Sequence, residues 1–117
     1  MLNWIAKSRQ RRAPGPSSVP ARTVVYAIGD IHGRLDLLQR LEAEIERDAA
    51  SVDADRRLIV CLGDYIDRGD NSYGVIDHLL QAAPVSFERI CLVGNHESYF
   101  VRFIDDSSVA AKWFENG

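Results

Sequence analysis

Leu58-Ile59-Val60-Cys61-Leu62-Gly63-Asp64-Tyr65-Ile66-Asp67-Arg68-Gly69 runs an unbroken apolar stretch into a loop crowded with charge. A continuous aliphatic run of this length reads as a strand covered on both faces, the habit of parallel sheets. The loop after it places two carboxylates and a guanidinium between two glycines. Outward in both directions the same pattern returns. VVYAI (24–28) leads into Gly29-Asp30-Ile31-His32-Gly33, and RICLV (89–93) leads into Gly94-Asn95-His96-Glu97.

Helical periodicity fills the gaps. Leu35, Leu38, Leu41 and Ile45 predict an amphipathic helix over 35–50, with Glu42, Glu44, Glu46 and Arg47 on its solvent side. SVDADRR (51–57) reads as a polar loop. Ser72 is expected to cap a helix over 73–82 that turns Val75, Ile76, Leu79 and Leu80 inward, with Pro84 helping to stop it. Tyr99, Phe100 and Phe103 open another helical stretch, and 110–114 one more. The order β-α-β-α-β-α defines an α/β fold with a mostly parallel sheet and right-handed crossovers. Asp30, Asp64 and Asn95 are then separated by one βαβ unit each, about 30 residues or more. Their loops emerge along one sheet edge, where ligands gather in such folds.

With 117 residues the chain is large enough for one domain. Its net charge of −3 is unevenly spread, because residues 1–22 hold Lys7, Arg9, Arg11, Arg12 and Arg22 and no acid. PGPSSVP (14–20) resists helix and strand, so 1–22 is expected to be a flexible basic leader and 23–117 the folded domain. The acidic remainder argues against nucleic acid as a partner. To bind phosphate it needs metal ions rather than a basic patch. No apolar run approaches a membrane span, and the first residues lack a secretory h-region, which points to a cytoplasmic protein. Cys61 and Cys91 are expected to be buried, reduced thiols.

Each loop contributes different donors. Asp30 supplies a hard carboxylate and His32 a borderline nitrogen two residues on, a mixture that suits Mn, Fe or Zn better than Ca. Asp64 directly follows its strand and Gly63, and a carboxylate can bridge two metals. Arg68 carries a planar fork that matches phosphate oxygens. Asp67 is placed either to orient a neighbouring imidazole or to pair with Arg68. The Asn95 carbonyl can coordinate a second metal, and His96 is free for acid–base work near neutral pH. Glu97 begins the next helix, where its charge suits the dipole. His78 is read as a structural helix histidine. Asp70, Asn71 and Tyr73 are candidates for the rim.

At these residues the chain resembles the calcineurin-like metallophosphoesterases, and within them bacterial members of the phosphoprotein (serine/threonine) phosphatase family. The similarity spans about residues 24–104. It implies one half of a four-layer αββα sandwich and a site for two divalent metal ions, with Mn expected and Fe or Zn as alternatives. By that resemblance Asp30 and His32 hold the first metal, Asp64 bridges, and Asn95 holds the second. His96 protonates the leaving oxygen, Asp67 orients His96, and Arg68, Asn95 and His96 contact the phosphate. The resemblance also implies two further histidine ligands and another arginine downstream. No histidine follows His96, so the chain is expected to be a truncated, N-terminal part of such a domain.

Three functions follow as expectations. The first is a metal-dependent phosphoester hydrolase acting on a phosphorylated protein or a small phosphoester, by in-line attack of an activated water. The second is symmetric hydrolysis of dinucleoside tetraphosphates, which uses the same motif set. The third is a catalytically incompetent metal- or phosphate-binding fragment.

Overall fold

A computed structural model describes residues 18–117, so most of the expected leader lies outside the described residues. The elements follow in the order β1 (Thr23–Ile28), α1 (Leu35–Ala49), β2 (Arg56–Cys61), α2 (Ser72–Leu80), β3 (Glu88–Cys91), α3 (Asn95–Asp105), a 3-10 turn (Ser107–Val109) and α4 (Ala110–Phe114). The three strands form one parallel sheet in the order β1-β2-β3. Ile28 is level with Cys61, and Cys61 with Cys91. The strands therefore end side by side, and the three charged loops start from a common edge. The α/β class and parallel order agree with the sequence.

β2 starts two residues early, at Arg56 and Arg57, inside the segment read as a loop. Arg56 forks onto Glu88 of β3 through two bonds of 2.7 Å. Arg22 forks likewise onto Asp53 and Asp55 beside the start of the sheet.

The core is an apolar layer between one sheet face and α1 and α2, centred on Ile28, Leu38, Ile45, Ile59, Cys61 and Val75. Its composition corrects several sequence expectations. On α1 the inward stripe is Leu38, Glu42, Ile45 and Ala49. Leu41 lies on the flank and is exposed, whereas Glu42, expected in solvent, is buried. A buried carboxylate must be paired, and Glu42 is paired twice. It accepts from Arg89 of β3 (2.7 Å) and from His78 Nε2 of α2 (2.6 Å). His78 is thus structural, as expected.

α2 ends at Leu80, which is 82% exposed rather than inward-facing. Its cap is Asn71, whose side chain accepts from Gly74 N–H (2.9 Å). Ser72 instead accepts the Asp67 N–H (3.0 Å). Cys61 is buried as expected. Cys91 is exposed because β3 is an edge strand. Val25, Leu62, Ile90 and Leu92 remain open to solvent.

Candidate metal centre

The rim at the carboxyl ends of the strands is knitted mainly by backbone. The amides of Ile31 and His32 both donate to the Asp64 carbonyl (3.0 and 2.9 Å), and Gly33 N–H donates to Tyr65 (2.8 Å). Gly69 N–H returns the link to the His32 carbonyl (3.0 Å). The first and second loops thereby become one unit. Contact between the second and third loops is closer still. Gly63 adopts φ +112°, and a Cβ there would run into the backbone of Gly94. A Cβ on Gly94 would collide with the Asp64 carboxylate. Glycine at both positions is what lets the loops touch.

Glu97 closes the rim. Its carboxylate accepts from the amides of Asp64 (2.8 Å), Tyr65 (2.7 Å), Ile66 (3.3 Å) and Gly94 (3.0 Å). It satisfies donors that the start of α3 and the turn of the second loop would otherwise leave unpaired. Sequence reading saw in Glu97 only a favourable helix start. The signal available was its position three residues after Gly94, the spacing at which a carboxylate reaches back to an N-cap amide. Tyr65 adds a further tie, donating its hydroxyl to the Leu92 carbonyl (2.6 Å). Burial pushes this phenol above its ordinary pKa, which keeps it a donor.

Four non-glycine residues of these loops hold left-handed backbone: His32 (φ +43°), Asp64 (+55°), Asp67 (+69°) and Arg68 (+67°). Each costs roughly 1–3 kcal/mol and persists only where its surroundings over-determine it. Here the hydrogen bonds above do so, and the strained positions carry the candidate chemistry.

Asp30, His32 and Asp64 each present a ligand atom within 4.8 Å of the others. The His32 tautomer favours binding. Its Nδ1–H donates to the Ile66 carbonyl (2.8 Å), which leaves the Nε2 lone pair facing Asp30 Oδ2 at 3.7 Å. Asp64 Oδ1 accepts the backbone N–H of His96 (3.1 Å), so this carboxylate is also oriented. Two carboxylates and an oriented imidazole nitrogen make a donor set that fits a divalent transition ion.

Beside them, His96 is 2% exposed and its ring meets that of His32 edge-on at 4.8 Å. Its Nδ1–H donates to Asp67 Oδ2 (2.7 Å). Of the two roles open to Asp67, the structure has it on the imidazole and not on Arg68. Arg68 turns away and donates to the Asn116 carbonyl (3.0 Å). Asn95 is exposed at the first turn of α3, one residue from the amide that holds Asp64. Trp113 Nε1–H also reaches Asp67 Oδ2 (2.6 Å), a contact the sequence did not signal.

The calcineurin-like phosphoesterase family matches residues 23–117, the three loops included. The chain belongs to this family. Two curated relatives are phosphatases named for different substrates. The symmetrical bis(5'-nucleosyl)-tetraphosphatase of Dechloromonas aromatica (strain RCB) is 37% identical over 76 residues, which cover 65% of this chain and 25% of that protein. Serine/threonine-protein phosphatase BSL2 of Arabidopsis thaliana is 33% identical over 88 residues, 74% of this chain and 8% of that protein. The chain spans a quarter or less of the length of these relatives. Calcineurin-like phosphoesterase membership supports hydrolase chemistry at the general level. Among the described residues no helix is long and apolar enough to cross a membrane.

Proposed function

We propose that the protein is a metal-dependent phosphoester hydrolase of the serine/threonine phosphatase type. The observation that carries this reading is the convergence of Asp30, His32 and Asp64 from two loops onto one spot. On this reading Asp30, His32 and Asp64 would hold a first divalent ion, most suitably Mn, and Asp64 and Asn95 would contribute to a second. Such ions supply a water of lowered pKa and offset charge on the phosphoryl oxygens. The protein's own groups then have separable tasks. His96, its Nδ1–H held by Asp67, acts as general acid when it is protonated on both nitrogens, and gives its Nε2 proton to the leaving oxygen. Arg68, on release of Asn116, offers its fork to phosphate oxygens. The left-handed loop backbone holds these groups in place before substrate arrives. A phosphorylated protein side chain is the substrate class.

The reading includes a cytoplasmic location, in keeping with cysteines in strands rather than a disulfide framework. It also takes residues 1–22 as a leader to the phosphoesterase portion.

The purified protein should hydrolyse an aryl phosphate and a phosphoserine peptide with Mn²⁺. Asp64→Asn should lower kcat at least ~100-fold. Equal rates for wild type and variant would remove the proposal. A second reading, symmetric dinucleoside tetraphosphate hydrolysis, is favoured by the tetraphosphatase relative. Faster turnover of the dinucleotide than of the phosphopeptide would select it.

A further inference from the structure

Asp67 and Arg68 are neighbours of opposite charge in one tight loop, and left alone they have every reason to pair. They do not. α4 and the residues just after it engage each of them instead. Trp113 Nε1–H donates to Asp67 Oδ2 at 2.6 Å, on the oxygen that also accepts His96 Nδ1–H at 2.7 Å. Three residues on, the Asn116 carbonyl takes the Arg68 guanidinium at 3.0 Å. One segment therefore supplies a donor for the carboxylate and an acceptor for the cation.

We propose that Trp113 is a positioning residue that holds the Asp67 carboxylate on His96 and away from Arg68. This rests on the hydrolase reading for its catalytic consequence, but not for its structural content. Two donors converging on one carboxylate oxygen fix the carboxylate's rotation, which a single donor does not. The indole is itself fixed. Phe100 and Phe103 pack against it at centroid distances of 5.9 and 5.6 Å, and Phe114 stacks at 5.9 Å. Asp67 and Trp113 also border an apolar pocket of about 370 Å³ shared with Ile66, Ile76 and Phe100. Without the indole donor, Asp67 keeps one side-chain partner and can swing to the guanidinium beside it. His96 then loses the acceptor that keeps its proton on Nδ1.

The test uses Trp113→Phe, which retains the ring and removes the donor. Nitrogen-15 NMR should show wild-type His96 as a single Nδ1–H tautomer and the variant as a mixture, with the melting temperature little changed. Turnover of an aryl phosphate with Mn²⁺ should fall about tenfold in kcat while KM stays within twofold. A variant with the wild-type tautomer and kcat would overturn the assignment. In the wild-type protein the Trp113 indole proton should resonate far downfield and move on Asp67→Asn. An indole proton at its free position, unmoved by that change, would overturn the assignment even if Trp113→Phe fails to fold. No turnover by wild type, together with the expected tautomer shift, would sink the hydrolase reading and leave the role of Trp113 standing.

Discussion

The rim and the helix-covered layer beneath it are held together in opposite ways. In the layer, Leu38, Ile45, Ile59 and Val75 are buried, and side-chain volume does most of the work. Within it Glu42 pairs with both His78 and Arg89. At the rim, Asp30 and Arg68 are exposed, and position is set by backbone amides, glycine contacts and left-handed residues. The layer stores stability, and the rim uses some of it to hold strained, charged groups in register. Substitutions in the two regions should therefore separate into losses of folding and losses of site geometry.

The largest effect should come from Glu42→Ala. It strands Arg89, whose Nε has no partner among the described residues, as an uncompensated buried charge. Urea denaturation should show a loss of about 3–5 kcal/mol. A loss under about 1 kcal/mol would mean that the Glu42 pairs are solvated and the layer is purely apolar. At the rim, Glu97→Ala leaves four amides without their acceptor. It should destabilise by about 2–3 kcal/mol, and weaken Mn²⁺ binding without touching a ligand. Unchanged metal affinity would show that the loops keep their register without the clamp.

Thiol chemistry sharpens the contrast within the layer. Burial pushes the Cys61 thiol up to about 12, so it stays neutral and unreactive at ordinary pH. Iodoacetamide at pH 8 should label the exposed Cys91 and spare Cys61 until the protein unfolds. Equal labelling of the native protein would contradict a closed layer.

The smallest effect belongs to Asp36, an exposed group beside the rim. Bidentate bonding to Arg34 lowers its pKa to about 2. Because the folded value lies below the unfolded one, near 3.9, its contribution is present above about pH 4. It is lost as pH falls through about 2. Asp36→Asn should flatten the acid limb of a pH–stability profile slightly and leave the neutral region unchanged.

Which features were legible from sequence follows from the range of the interactions. The run LIVCL and the loops after Ile28, Leu62 and Val93 announce themselves locally, by composition and by glycines at fixed offsets. The parallel strands, the approximate helix positions and the gathering of Asp30, His32 and Asp64 at one edge could be read from them. Glu42 could not, because its alternation with Glu44 and Glu46 looks like a solvated face. Only Arg89 and His78, far along the chain, make its burial tolerable. Glu97 and Trp113 were missed for a related reason. Each acts on backbone or on a carboxylate brought near by the fold, and neither residue type advertises that task.

The most direct test of the account is Mn²⁺ binding to the purified chain, followed by electron paramagnetic resonance. Wild type should take up the ion, and Asp64→Asn should bind it at least ~10-fold more weakly, with unchanged far-ultraviolet circular dichroism. No uptake by wild type, or equal affinity in both, would contradict a shared cation site at the strand ends.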